Sequence, residues 1–172
     1  ERNIFCEKAA YWLSKEQSVD WVALFFTRLV SEVLYSQFPC VNFHPSLLPA
    51  FPGFRALENL KKSGARFFGA TAHLVDHSTD GGVILAQAIA PVPLRASAEI
   101  LARISFAQKL YLLLVLFEKA YESKLSFFYQ GLDNYEGLIH SFYANPRLTN
   151  EDLEQAFLNF MKVEEIPWPI LH

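Results

Sequence analysis

The chain has 172 residues, of which 52% are apolar and 15% aromatic, including sixteen phenylalanines, while only 19% are charged. That is core material for one domain and excludes a disordered chain. A net charge of −3 leaves no electrostatic footprint for a nucleic-acid backbone. An apolar share this large predicts that some greasy surface meets a partner.

A first helix is expected over Glu7–Lys15, with Ala10, Trp12 and Leu13 among polar residues. Trp21–Phe26 is a continuous apolar run, suited to a strand covered on both faces. Ser31–Phe38 reads as a short helix stopped by Pro39, and Cys40–Phe43 as the next strand. About a dozen residues join these strands, enough for a parallel crossover that contains a helix.

Pro45, Pro49 and Pro52 stiffen the following loop, which ends in Gly53 and cannot pair as a central strand. Arg55–Ser63 is a helix closed by Gly64. Phe67–Val75 and Val83–Ala90 are strands joined through the polar turn Asp76–Gly82, the pattern of a hairpin. Ser97 caps a long buried helix to about Tyr121. Thr149 and Asp152 resemble a capping box for a helix over Asn150–Val163, with Leu153, Phe157, Phe160 and Met161 as its apolar stripe and Pro167 as its stop. The longest apolar run, Leu110–Phe117, has eight residues, against the roughly 20 needed to cross a bilayer. No signal peptide is visible, so a soluble, cytoplasmic protein is expected, with Cys6 and Cys40 as idle thiols.

Chemistry concentrates in two stretches. Asn42 and His44 sit two apart at a strand end, so alternation puts both side chains on one face and Phe43 on the other. An amide donor and an imidazole aimed at one small volume suit acyl transfer, the first steadying an oxyanion and the second handling a proton. Taken alone, a histidine at a strand end before proline is more often structural. Asp80, in the turn before Gly81–Gly82, would orient the ring of His44 if the two meet, although aspartate before glycines is also ordinary turn chemistry. His73, Asp76, His77 and Asp80 mix a strand with a turn and match no familiar metal spacing, so no metal is expected.

Together the runs NFHPSLLPAFPG and GATAHLVDHSTDGGVILAQ resemble the paired signatures of the folate-dependent formyltransferases, closest to the glycinamide ribonucleotide branch. The resemblance covers roughly Asp20–Val92. It implies an α/β, Rossmann-like sheet with helices on both faces, and 10-formyltetrahydrofolate as formyl donor. It also implies a small-molecule amine as acceptor and Asn42, His44 and Asp80 as the catalytic set. By the same resemblance, the segment holding Arg28, Leu29 and Val30 cradles the pterin, and Asp76, His77 and Asp80 line its pocket.

The family begins with further strands and a Gly-rich loop for the acceptor phosphate. Here about twenty residues precede the first matched strand and contain no glycine, so the N-terminal strands are expected to be missing. Residues 1–94 are assigned to a core truncated in this way, and 95–172 to a helical C-terminal appendage. A homodimer through apolar surface or the C-terminal helices is expected. After Gly53, Phe54–Arg55–Ala56–Leu57 lacks the histidines common in the glycinamide ribonucleotide enzymes. Three readings remain open: a transferase acting on some amine, a formyltetrahydrofolate hydrolase, and a non-catalytic folate-binding or scaffold protein.

Overall fold

The computed structural model describes residues 1–26, 28–123 and 143–166. Its elements are α1 (Arg2–Leu13), β1 (Val22–Leu24), α2 (Glu32–Tyr35), β2 (Cys40–His44) and α3 (Ala56–Ser63), followed by β3 (Phe67–Leu74), β4 (Ile84–Pro91), α4 (Ala98–Ser123), β5 (Ala144–Asn145) and α5 (Glu151–Val163). The strands form one sheet in the order β1-β2-β3-β4-β5. β1 and β2 are parallel, with α2 in the crossover, and every later pairing is antiparallel. The sheet is therefore mixed, and β3–β4 is the expected hairpin.

Alternation along β2 decides what each face of the sheet meets. Val41 and Phe43 join Ile104, Tyr111, Leu112 and Val115 of α4 in the larger core. Cys40 turns the other way, with Leu24, into a smaller core built from Cys6 and Ala10 of α1 and Leu34 of α2. Helices thus cover both faces, as the resemblance implied. Complete burial of one leucine such as Leu112 contributes about 1.5–3 kcal/mol, so α4 is the main apolar anchor of the sheet.

The 26-residue α4 is long and apolar enough to cross a bilayer by length and composition, which the eight-residue run did not reveal. Counting consecutive apolar residues stopped at Lys109, which interrupts the apolar middle of the helix. The helix packs along β2, β3 and β4, and half of its most apolar window is buried, so it serves as the core helix of this sheet.

Several boundaries moved. α1 starts at Arg2, because Cys6 and Ala10, one turn apart, are its buried contacts. α3 closes as expected at Gly64, whose φ of +70° is the left-handed cap conformation. The capping box assigned to Thr149 is one residue out of register. Asn150 is the N-cap, its side-chain oxygen accepting from the Leu153 amide at 3.0 Å. The Glu118 carboxylate of α4 instead accepts the amides of Thr149 and Asn150, and the Thr149 hydroxyl donates to Glu122. Phe157 and Met161 are buried and Leu153 and Phe160 pack on the core, as the stripe predicted. The stop assigned to Pro167 lies outside the described residues, and α5 already closes at Val163.

Candidate active site

The side chains of Asn42 and His44 leave β2 on the face opposite Phe43. Antiparallel pairing places His73 across from Asn42 and Thr71 across from His44, so four polar side chains share that face. The Asn42 amide Nδ2 donates to His73 Nε2 at 3.2 Å. The carbonyl of Leu74, 2.9 Å from His73 Nδ1, can only accept. The His73 proton therefore sits on Nδ1, and Nε2 is free to hold the Asn42 amide. His73 is 2% exposed, and that burial holds its pKa below the ordinary histidine value. A neutral ring suits this bonding pattern.

The proline-rich loop after β2 is held by its own polar atoms. Thr71, fully buried, donates to the Ser46 carbonyl at 2.7 Å and accepts from the Leu48 amide at 3.0 Å. Gln87 of β4 donates to the Leu48 carbonyl at 2.9 Å, and the Ser46 hydroxyl donates to that of Ala50 at 2.5 Å. This framework fixes the Phe51 carbonyl, which accepts from His44 Nε2 at 2.9 Å.

Asp80 comes from the turn between β3 and β4. Its φ of +55° is a left-handed conformation that aspartate tolerates better than most residues. Gly82 closes the turn where no side chain fits, since a Cβ there would stand 1.9 Å from the Leu74 carbonyl oxygen. Asp80 Oδ2 accepts from the Gly53 amide at 2.7 Å and lies 3.3 Å from His44 Nδ1. Its Oδ1 is 3.7 Å from His73 Nε2. One carboxylate therefore ties the turn to the proline-rich loop and to the imidazole between them.

The structure thus brings Asn42, His44 and Asp80 together. It adds His73, which sequence reasoning weighed only as a metal ligand. The signal for His73 was present in the strand alternation, but it needed the pairing register between β2 and β3. Arg28, Leu29 and Val30 line one cavity of about 610 Å³ with these groups, as do Asp76 and His77. Thr27 lies outside the described residues. The Asp76 carboxylate is spent on its own turn, accepting from the Ser78 hydroxyl and from the Ser78 amide at 2.8 Å, and these bonds hold its pKa below the usual carboxylate value. A carboxamide, an imidazole and a carboxylate at the floor of a cavity can stabilise an oxyanion and hold a proton beside it.

The family model described as formyl transferase matches residues 5–116. A phosphoribosylglycinamide formyltransferase of Mycobacterium tuberculosis (strain ATCC 25618 / H37Rv) is 45% identical over 69 residues, 39% of this chain and 32% of that protein. A formyltetrahydrofolate deformylase of Synechocystis sp. (strain ATCC 27184 / PCC 6803 / Kazusa) is 32% identical over 105 residues, 60% of this chain and 37% of that protein. Among solved structures, glycinamide ribonucleotide transformylase 1 from Symbiobacterium toebii aligns with a TM-score of 0.59 at 37% identity, over 63% of this chain and 52% of that one. The chain spans about a third of the length of these curated relatives.

Proposed function

The chain belongs to the formyl transferase family, and on that premise we propose that it moves a formyl group from 10-formyltetrahydrofolate to the amine of a small-molecule acceptor. The observation that carries this reading is the 3.3 Å approach of Asp80 Oδ2 to His44 Nδ1 beside the Asn42 carboxamide. The donor lies with its pterin against Arg28, Leu29 and Val30 and against the Asp76–Asp80 turn, and its formyl carbon reaches Asn42 and His44. The acceptor nitrogen attacks that carbon, a C–N bond forms, and negative charge collects on the formyl oxygen.

Asn42 has a second N–H beyond the one held by His73, and it points its donor capacity at that oxygen. His44 Nε2 exchanges the Phe51 carbonyl for the substrate, while Asp80 keeps hold of Nδ1. The proton shed by the attacking amine passes through His44 to the folate nitrogen as the bond from the formyl carbon to that nitrogen breaks. Atoms balance with formylated acceptor and tetrahydrofolate as products.

A second reading has its own support, because the match to the deformylase runs over 105 residues against 69 for the mycobacterial transferase. Water then takes the place of the amine, and the products are formate and tetrahydrofolate. The test is to give the full chain 10-formyltetrahydrofolate with phosphoribosylglycinamide, with a panel of other primary amines, and with none. Release of tetrahydrofolate only when an amine is present supports transfer. Release without any amine supports hydrolysis. Donor binding with no turnover in any arm overturns both readings.

A further inference from the structure

The β3–β4 hairpin carries Asp80 at one end and meets a second cavity at the other. β3 runs from Phe67 to Leu74, so its start lies about 20–25 Å from the Asp76–Asp80 turn. There a cavity of about 220 Å³ opens between the C-terminal end of α3 and the loop from β4 into α4. Lys61, Arg66 and Arg95 line it, Leu60, Val92 and Leu94 give it an apolar wall, and none of the described residues lining it is acidic.

Lys61 sits in the last turn of α3, where the negative end of that helix partly offsets its charge. Arg66 and Arg95 have no such offset, and among the described residues no carboxylate pairs with any of the three. Glu58 is held by Lys62 at 2.6 Å, and Glu99, in the first turn of α4, does not line the cavity. The chain as a whole carries a charge of −3, so this concentration of positive charge is local.

The backbone at Arg95 is an independent observation. The Ala96 amide donates to the Pro93 carbonyl at 3.1 Å, which closes a four-residue turn with Arg95 third. Arg95 has a φ of +60° and Leu94 before it is not left-handed, the type II pattern in which glycine is the usual third residue. Arginine is strained there, and the strain holds a guanidinium at the cavity wall.

We propose that this cavity binds a phosphoryl group. Two guanidinium forks and an ammonium can serve all the free oxygens of a phosphate and balance its double charge, which is more than a carboxylate needs. The volume is below the roughly 300–1,000 Å³ of sites for larger ligands. It suits a small phosphomonoester, with its first carbons against Leu60, Val92 and Leu94. The site is separate from the formyl-transfer cavity and does not depend on that reading.

A soluble ester and a lipid headgroup both carry this chemistry, so the test has two arms at low ionic strength. Glycerol 3-phosphate and acetate are titrated by calorimetry into the full chain. Phosphatidylcholine vesicles with and without phosphatidic acid are sedimented with it. Arg66→Gln, Arg95→Gly and Arg28→Gln are carried through both arms. The expected result is phosphate binding that Arg66→Gln and Arg95→Gly each weaken about tenfold to hundredfold, the range for a lost charge-assisted hydrogen bond. Arg28→Gln, in the larger cavity, binds as wild type, and acetate binds more weakly than the ester. Arg95→Gly melts at or above the wild-type Tm, because glycine relieves the turn, so its loss of binding is not a loss of fold.

Binding of the ester assigns a soluble ligand, and binding of phosphatidic acid vesicles alone assigns a lipid headgroup. Three outcomes overturn the proposal: no phosphate probe binds wild type, the affinity is indifferent to both Arg66 and Arg95, or Arg28→Gln is the variant that loses it. Acetate binding as tightly as the ester would also overturn it, by removing the phosphoryl group as the feature recognised.

Discussion

His73→Leu separates a residue that positions from one that reacts. In the structure His73 Nε2 meets the site through the 3.2 Å bond from the Asn42 amide and a looser 3.7 Å approach of Asp80 Oδ1, and its other nitrogen is committed to Leu74. Leucine fills the buried site and removes that acceptor. The Asn42 amide is then held by one neutral hydrogen bond fewer, about 0.5–1.5 kcal/mol. At about 1.4 kcal/mol per tenfold in rate, kcat should fall roughly 2- to 13-fold. Asn42→Ala deletes the donor itself, and the expected loss is about 10²–10³-fold. His73→Gln, whose side-chain oxygen can accept from Asn42, should recover most of the activity.

The assay is single-turnover release of tetrahydrofolate from 10-formyltetrahydrofolate, with whichever amine the acceptor panel identifies. In the Asn42→Ala background, His73→Leu should cost nothing more, because the group it positions is gone. A loss above about 10²-fold for His73→Leu alone is the size expected of a proton carrier. That result, or an unchanged penalty in the double variant, would refute the positioning role.

Burial holds His73 below its ordinary value of 6.5, so the unfolded chain takes up this proton before the folded one does. Its contribution to stability is therefore complete above that value and declines as pH falls beneath it. The slope is at most about 1.4 kcal/mol per pH unit, and urea melts between pH 7.5 and 5 should lose it in His73→Leu. Gly69→Ala would set a Cβ 2.0 Å from the Ala88 carbonyl oxygen and 2.5 Å from the Leu47 side chain. It should cost at least about 1–3 kcal/mol in the same melts. Glu118→Gln removes the charge that holds the Thr149 and Asn150 amides, so hydrogen exchange should quicken in α5 and stay unchanged in β3. The Cys40 thiol is pushed up to about 12, first by burial and then by Cys6, and native protein at pH 8 should leave it unlabelled by a thiol reagent until urea unfolds the chain.

What the sequence disclosed about the site is what local geometry controls. A two-residue spacing puts Asn42 and His44 on one face wherever β2 lies, and Asp80 before two glycines marks a turn in any context. The partner of Asn42 was hidden because it depends on the β2–β3 register, which two distant segments set between them. β5 was hidden for the same kind of reason. Two residues, Ala144 and Asn145, become a strand only because Gln87 and Ala88 offer them an edge. Thr149 misled because its hydroxyl has the right chemistry for a cap, and a buried carboxylate thirty-odd residues away claims its amide instead.

That contrast bears on the chemistry. The groups visible in the sequence, Asn42, His44 and Asp80, are the ones proposed to meet the substrate. The groups hidden from it, His73, Thr71, Gln87 and the Gly53 amide, aim and restrain them. Asp80 belongs to both sets, since the oxygen that faces His44 Nδ1 also accepts from Gly53. Asp80→Asn therefore tests two functions at once. An amide can still meet His44 or the Gly53 N–H, but its one carbonyl oxygen must serve both as acceptor while the charge is gone. Loss of activity in Asp80→Asn with unchanged exchange at the Gly53 amide would assign the effect to the imidazole. Loss accompanied by faster exchange across residues 45–53 would assign it to the loop that holds Phe51 against His44.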